Sequence, residues 1–171
     1  MKTLLTLLKA LWENYLKQQV FIEEPTPPMP TPTPTPIPPN NLLNTFLLAI
    51  QKHEGWYMGS RAERNHNPGN CRYSRVGYLS IYGEVKEDRK GVPAGQQGFA
   101  IFKSYEIGFL YLKNLVKSKI RKHPDWDFYD FFGNEKEGWA PDSDNNDSKR
   151  YAKVVAEALN VPPTSKITIL Q

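Results

Sequence analysis

The 171 residues carry a formal net charge of +4 and a single cysteine, so the chain has room for one domain plus an appendage, and an internal disulfide is excluded. The mild positive balance suits an anionic polymer such as cell wall or nucleic acid, without choosing between them. No window is long and apolar enough to span a membrane, and His53, His66 and His123 lack the spacing of metal ligands.

Residues 1–24 read as an amphipathic helix. Leu4, Leu5, Leu7, Leu8, Leu11, Trp12, Tyr15 and Leu16 form an apolar stripe, with Lys2, Lys9, Glu13 and Lys17 between them. A signal peptide fits poorly, because Lys9 interrupts the apolar run and no small-residue cleavage site follows. An isolated helix of this length is marginal in water, so the stripe needs a cover. The expectation is a docking or anchoring arm that meets a protein partner, a second copy of itself or a membrane surface. Residues 25–39 alternate proline mainly with threonine. They read as a polyproline-type linker, able to hold its ends roughly 40–45 Å apart.

Globular patterning begins at residue 40. Asn40 or Asn41 can cap a helix whose apolar face is Leu42, Leu43, Phe46, Leu47 and Ile50. Gly55 stops that helix just after Glu54. A carboxylate there faces the negative end of the helix dipole, and with Trp56 and Tyr57 beside it its proton should be held more tightly than in water. That is the requirement for a general acid. Residues 65–70 then read as a rigid turn around Pro68 and Gly69. Residues 72–82 alternate loosely and are expected to hold one or two short strands. Residues 84–95 read as a surface loop, and residues 98–102 as a strand. Gln96 and Gln97 precede it and could donate to a ligand amide or hydroxyl.

From Ser104, a cap, the period becomes helical through Ile107, Leu110, Tyr111, Asn114, Leu115 and Ser118. The basic residues 117–123 suit the solvated last turn of that helix. Trp126, Phe128, Tyr129, Phe131 and Phe132 read as a short aromatic core helix ended by Gly133. Residues 144–147 offer caps for a final helix carrying Tyr151, Val154, Val155, Ala158 and Leu159. Asp142, Asp144 and Asp147 lack the glycine and terminal glutamate of a calcium loop. Cys71 has no thiol-enzyme arrangement around it. Residues 162–171 read as a tail.

Three blocks carry a resemblance. Glu54-Gly55-Trp56, Arg61 and Arg64, then Asn65-His66-Asn67-Pro68-Gly69-Asn70-Cys71-Arg72-Tyr73, resemble the small lysozyme-like muramidases of phages and bacteria. These are related to goose-type lysozymes and lytic transglycosylases. Gly98-Phe99-Ala100-Ile101-Phe102 is similar to that family's active-site strand. Trp139-Ala140-Pro141, the stretch Asp144-Asn145-Asn146-Asp147, and Tyr151 are similar to its last signature. The likeness spans residues 40–161.

The resemblance implies an α+β, lysozyme-like fold, mostly helical with a small antiparallel sheet. It implies Glu54 as catalytic acid with Tyr151 lining the site, and substrate contacts from Trp56, Asn67, Asn70, Arg72, Gln97, Phe99 and Asn146. It implies peptidoglycan rather than nucleic acid as the partner, with no cofactor and no metal. The expected reaction is cleavage of the bond between N-acetylmuramic acid and N-acetylglucosamine, with lytic transglycosylation favoured over hydrolysis. The third reading is an inert virion or wall-binding module that kept the shell. The expected location is the cell envelope or a phage virion, the arm docking the enzyme and the linker letting it reach the wall.

Overall fold

Helix α1 (Leu42–His53) opens the part of the chain that the structure, a computed structural model, describes, namely residues 42–171. The expected arm helix, the proline linker and the cap from Asn40 or Asn41 lie outside the described residues. In α1, Phe46, Leu47 and Ile50 recur at helical spacing and are fully buried. The amide of Glu54 still donates to the Ile50 carbonyl at 2.8 Å. Gly55, at φ 76°, then turns the chain out of the helix.

A short helix α2 (Arg61–Arg64) follows, capped by the Ser60 hydroxyl, which accepts from the Glu63 amide at 3.2 Å. Strands β1 (Lys86–Asp88) and β2 (Phe99–Ile101) pair antiparallel in the register Lys86↔Ile101, Glu87↔Ala100, Asp88↔Phe99. The described residues therefore form a mostly helical α+β fold with a two-stranded antiparallel sheet.

The strand position corrects the sequence reading. Residues 72–82 hold no strand. Arg72 makes one isolated bridge to Phe99, and Ser80–Tyr82 is a tight helical turn. Tyr73, Tyr78 and Tyr82 do not alternate across a pleat; they gather with Phe102 and Tyr111 into one aromatic cluster. The strand β1 lies instead in the segment read as a loop. Its charged side chains are used laterally: Asp88 accepts from Asn65 Nδ2 at 2.9 Å, and Glu87 Oε1 from the Gly98 amide at 2.7 Å.

Helix α3 (Tyr105–Lys122) is capped by Ser104. Its buried face is Gly108, Leu112, Val116 and Ile120, rotated from the expected face of Ile107, Leu110, Tyr111, Asn114, Leu115 and Ser118. Gly108 explains the rotation. A Cβ there would lie 1.8 Å from the His66 carbonyl oxygen, so this glycine lets α3 lie directly against the residue 66–68 turn. Tyr111, Leu115 and Lys119 occupy the adjoining face.

Helix α4 (Phe128–Gly133) begins at a reciprocal cap between Asp127 and Asp130. Phe128, Phe131 and Phe132 are fully buried, and Phe131 meets Phe46 edge to face, with ring centroids 5.3 Å apart. Helix α5 (Ser148–Ala158) starts where Asp147 accepts from the Arg150 amide. It buries Tyr151, Ala152, Val155 and Ala156, while Val154 and Ala158, expected on the same face, are exposed.

The expected tail is a second correction. Ile167 N donates to the Trp126 carbonyl at 3.0 Å, and Lys166 bridges Asp127. Ile167 and Leu170, in a closing turn at Ile167–Leu170, are buried in the core with α1, α4 and α5. The domain thus runs through Leu170.

Candidate active site

Glu54 stands at the C-terminal end of α1, where the last carbonyls present the negative end of the helix dipole. One oxygen of its carboxyl, Oε1, accepts two hydrogen bonds. Tyr151 Oη donates from α5 at 2.9 Å, and Trp139 Nε1 donates from the 134–140 loop at 3.1 Å. Burial is the largest influence on this group and pushes its pKa up, while the Trp139 and Tyr151 hydrogen bonds, and after them the nearby Asn70 side chain, pull the other way. These three side chains are neutral, so they steady the carboxylate without cancelling its charge.

Tyr151 has little freedom. Its ring stacks on Phe132 with centroids 4.2 Å apart and on His53 at 3.6 Å. Burial, and after it the neighbouring Glu54, raise the phenol pKa, so Tyr151 stays a proton donor at any working pH. The His53 pKa is lowered by burial and then by Arg150. Trp139 is fixed by its amide, which donates to the Phe131 carbonyl at 2.8 Å, and by its ring, nearly parallel to Phe131.

The carboxyl opens on a cleft of about 400 Å³. Its lining comes from α3 through Tyr111, Leu115 and Lys119, from residues 69–72 and Phe99, and from residues 138–140 and Asn146. Among the described residues that line the cleft, Glu54 is the only acid.

The expected site residues divide. Asn70, Arg72, Phe99 and Asn146 share the cleft with Glu54, and Tyr151 backs it. Asn67 does not reach the cleft. It is 1 % exposed, its Nδ2 donates to the carbonyls of Cys71 and Ala100, and its Oδ1 accepts from the Cys71 amide, each at 2.9 Å. Its amide is wholly occupied in tying the residue 67–71 turn to β2. Gln97 is exposed and contributes its backbone carbonyl, which accepts from Arg72 Nη1 at 3.0 Å. Phe99 lines the cleft with its ring already held by two guanidinium groups, Arg72 at 4.3 Å and Arg61 at 4.5 Å.

Trp56 and Tyr57 are not the aromatics beside the carboxyl. The turn at Gly55 carries the chain away, leaving Trp56 against Tyr105 and Tyr57 exposed. Trp139 and Tyr151 take that place. Arg61 and Arg64 of the first block serve the scaffold, donating to the carbonyls of Lys90 and Gly59. The Cys71 thiol is buried, and burial followed by the charge of Glu54 pushes its pKa up, away from a reactive thiolate.

Trp139, Tyr111, Leu115 and Lys119 are among the cleft residues that the sequence reading did not assign to the site. Tyr111, Leu115 and Lys119 recur every four residues, a spacing that puts them on one helical face. Among the described residues no cluster of His, Cys, Asp or Glu is arranged to hold a metal. Asp142 accepts from the Ser148 amide and Asp147 from that of Arg150, so both serve the start of α5. Comparison with protein-family models, with curated proteins and with solved structures finds no match.

Proposed function

We propose that the described domain is a lysozyme-like muramidase. It cleaves the peptidoglycan glycan strand between N-acetylmuramic acid and N-acetylglucosamine, with Glu54 as general acid, by lytic transglycosylation. The observation that carries the reading is the carboxyl of Glu54. It is half-buried in the lining of a cleft, its pKa is raised by desolvation there, and it is held by Tyr151 and Trp139. The resemblance of the three sequence blocks supports it.

The chemistry follows from the surroundings. Protonated Glu54 gives its proton to the glycosidic oxygen as the bond to C1 breaks. The Tyr151 hydroxyl and the Trp139 indole then steady the carboxylate left behind. Two-carboxylate glycosidases place their second acid within about 5–10 Å, as nucleophile or as base for a water. The cleft lining offers no second acid among the described residues. A single carboxylate suffices if the sugar's own C6 hydroxyl attacks C1. Glu54 takes back the proton of that hydroxyl, and a 1,6-anhydro ring closes. Arg72 and Lys119, both in the cleft lining, suit the anionic substituents of a muramyl strand. In this reading the chain works at the cell envelope or in a virion, with residues 1–24 as its docking arm.

The test is product analysis. The full chain is incubated with purified peptidoglycan and the soluble fragments are read by mass spectrometry. Anhydro-muramyl ends are expected. Reducing muramyl ends would make water the acceptor and the protein a hydrolytic muramidase. An absence of soluble fragments would overturn the enzymatic reading in favour of a wall-binding or structural module.

A further inference from the structure

Glu137 lies outside the cleft lining around Glu54, yet it gathers three basic side chains at the end of α3, those of Lys119, Lys122 and His123. Its carboxylate accepts from Lys122 Nζ and from His123 Nε2, and its backbone carbonyl accepts from Lys119 Nζ. Lys119 is itself a cleft residue, in the same lining as Glu54, Asn70 and Arg72. Two residues after Glu137 comes Trp139, whose indole donates to Glu54.

The loop between α4 and α5 is already well held at its base. The amides of Lys136 and Glu137 donate to Asn134 Oδ1, and the Gly138 amide to the Asn134 carbonyl. The Trp139 and Ala140 amides return to α4 at Phe131 and Phe132. None of these bonds ties the loop sideways to α3. The Glu137 cluster does, and so it sets the separation between the α3 wall and Trp139.

We propose that Glu137 is a positioning residue. It clamps the 134–140 loop to α3, so that the Trp139 indole meets Glu54 Oε1 and tunes the proton affinity of that carboxyl. The inference rests on the reading of Glu54 as the acid for its consequence, though not for its geometry. The groups that face Glu54 are Tyr151 from α5, Trp139 from the loop, and Asn70 and Cys71 from the residue 69–72 wall, with Arg72 and Lys119 also lining the cleft. Of these, Trp139 and Lys119 are the two that the clamp controls.

The experiment reads the indole directly. The Trp139 Nε1–H resonance of the full chain, assigned by its loss in Trp139→Phe, is followed by NMR from acid to neutral pH. In the parent it shifts as Glu54 ionises. In Glu137→Ala the resonance should move, and the midpoint of its titration should rise, because a loosened indole no longer favours the carboxylate. Wall cleavage at the parent's optimum should fall roughly tenfold, short of the about 10²-fold that a 1 Å misplacement can cost. Glu137→Gln, which keeps a hydrogen-bonding oxygen, should recover part of both effects. Lys122→Met removes one leg of the clamp and should shift the midpoint the same way by less; it decides the matter should Glu137→Ala not fold. A resonance and midpoint identical to the parent's would overturn the proposal. A parent that titrates as described but releases nothing from peptidoglycan would sink the enzymatic reading and leave the clamp standing.

Discussion

Tyr151→Phe removes a single hydroxyl from the site. The ring keeps its stacking on Phe132 and His53, so the shape of the pocket persists. What is lost is the 2.9 Å hydrogen bond to Glu54 Oε1. A hydrogen bond to a charged partner contributes about 1.5–3 kcal/mol, and here it favours the ionised carboxyl. Its loss moves the Glu54 pKa further up, so the proton stays on to higher pH. The descending limb of the pH–activity curve, where a general acid loses its proton, should therefore move to higher pH. The acid plateau should fall at the same time. If about half of the negative charge on Glu54 has formed in the transition state, about half of that bond is lost there. Roughly 0.7–1.5 kcal/mol corresponds to a rate lower by about threefold to thirteenfold. The assay is release of soluble fragments from purified peptidoglycan across pH, with the melting temperature checking the fold. An unmoved descending limb together with an unchanged plateau would refute the role given to the hydroxyl.

Asn67→Ala leaves the Cys71 amide and the Ala100 carbonyl buried without that partner, while the Cys71 carbonyl keeps the Ala100 amide as its donor. Chemical denaturation should report a loss of about 2 kcal/mol or more, and a loss below about 1 kcal/mol would contradict the tying role. Ile167→Ala empties a fully buried site in the closing turn and should cost about 2–5 kcal/mol, whereas a true tail would show no change. Burial raises the folded-state pKa of Glu54 above its unfolded value, so the native chain holds a proton that the unfolded chain has lost. Stability from this group is complete below the unfolded pKa and is lost as pH rises through the folded one. Urea denaturation of the parent and of Glu54→Gln should thus diverge in favour of the variant as pH rises toward neutrality; parallel curves would contradict the shift.

The parts of the fold legible in the sequence were those with a strong local signal. Gly55 after an apolar helical run marks the end of α1, and the caps at Ser104 and Asp147 open α3 and α5 where they stand. Strand β1 escaped because Lys86, Glu87 and Asp88 carry no apolar alternation; its side chains act through hydrogen bonds to Gly98, Asn65 and Lys90. The buried face of α3 is hard to read because Gly108 has no hydrophobicity to register, yet its missing side chain lets the His66 carbonyl lie against the helix. Ile167, Ile169 and Leu170 fall within only four residues, too short a run to show a period, so the closing turn reads as a tail.

At the site, the resemblance pairs Glu54 with Tyr151 across 97 positions, and a hydrogen bond joins them in the structure. The same block carried Trp139 without revealing that its indole reaches Glu54, because the turn at Gly55 had to be seen before Trp56 could be dismissed. Asn67 shows the opposite limit. Position in a motif does not distinguish a side chain that meets a ligand from one that holds the wall in place.

The most direct test is the Glu54→Gln variant on purified peptidoglycan. The amide keeps the shape and can still accept from Tyr151 and Trp139, but it has no proton to transfer. Its fold is checked by circular dichroism, and fragment release is timed against the parent at the parent's optimal pH. The account predicts a fall of about 10²–10⁴-fold with the fold intact. A folded Glu54→Gln chain that solubilises the wall as fast as the parent would contradict it.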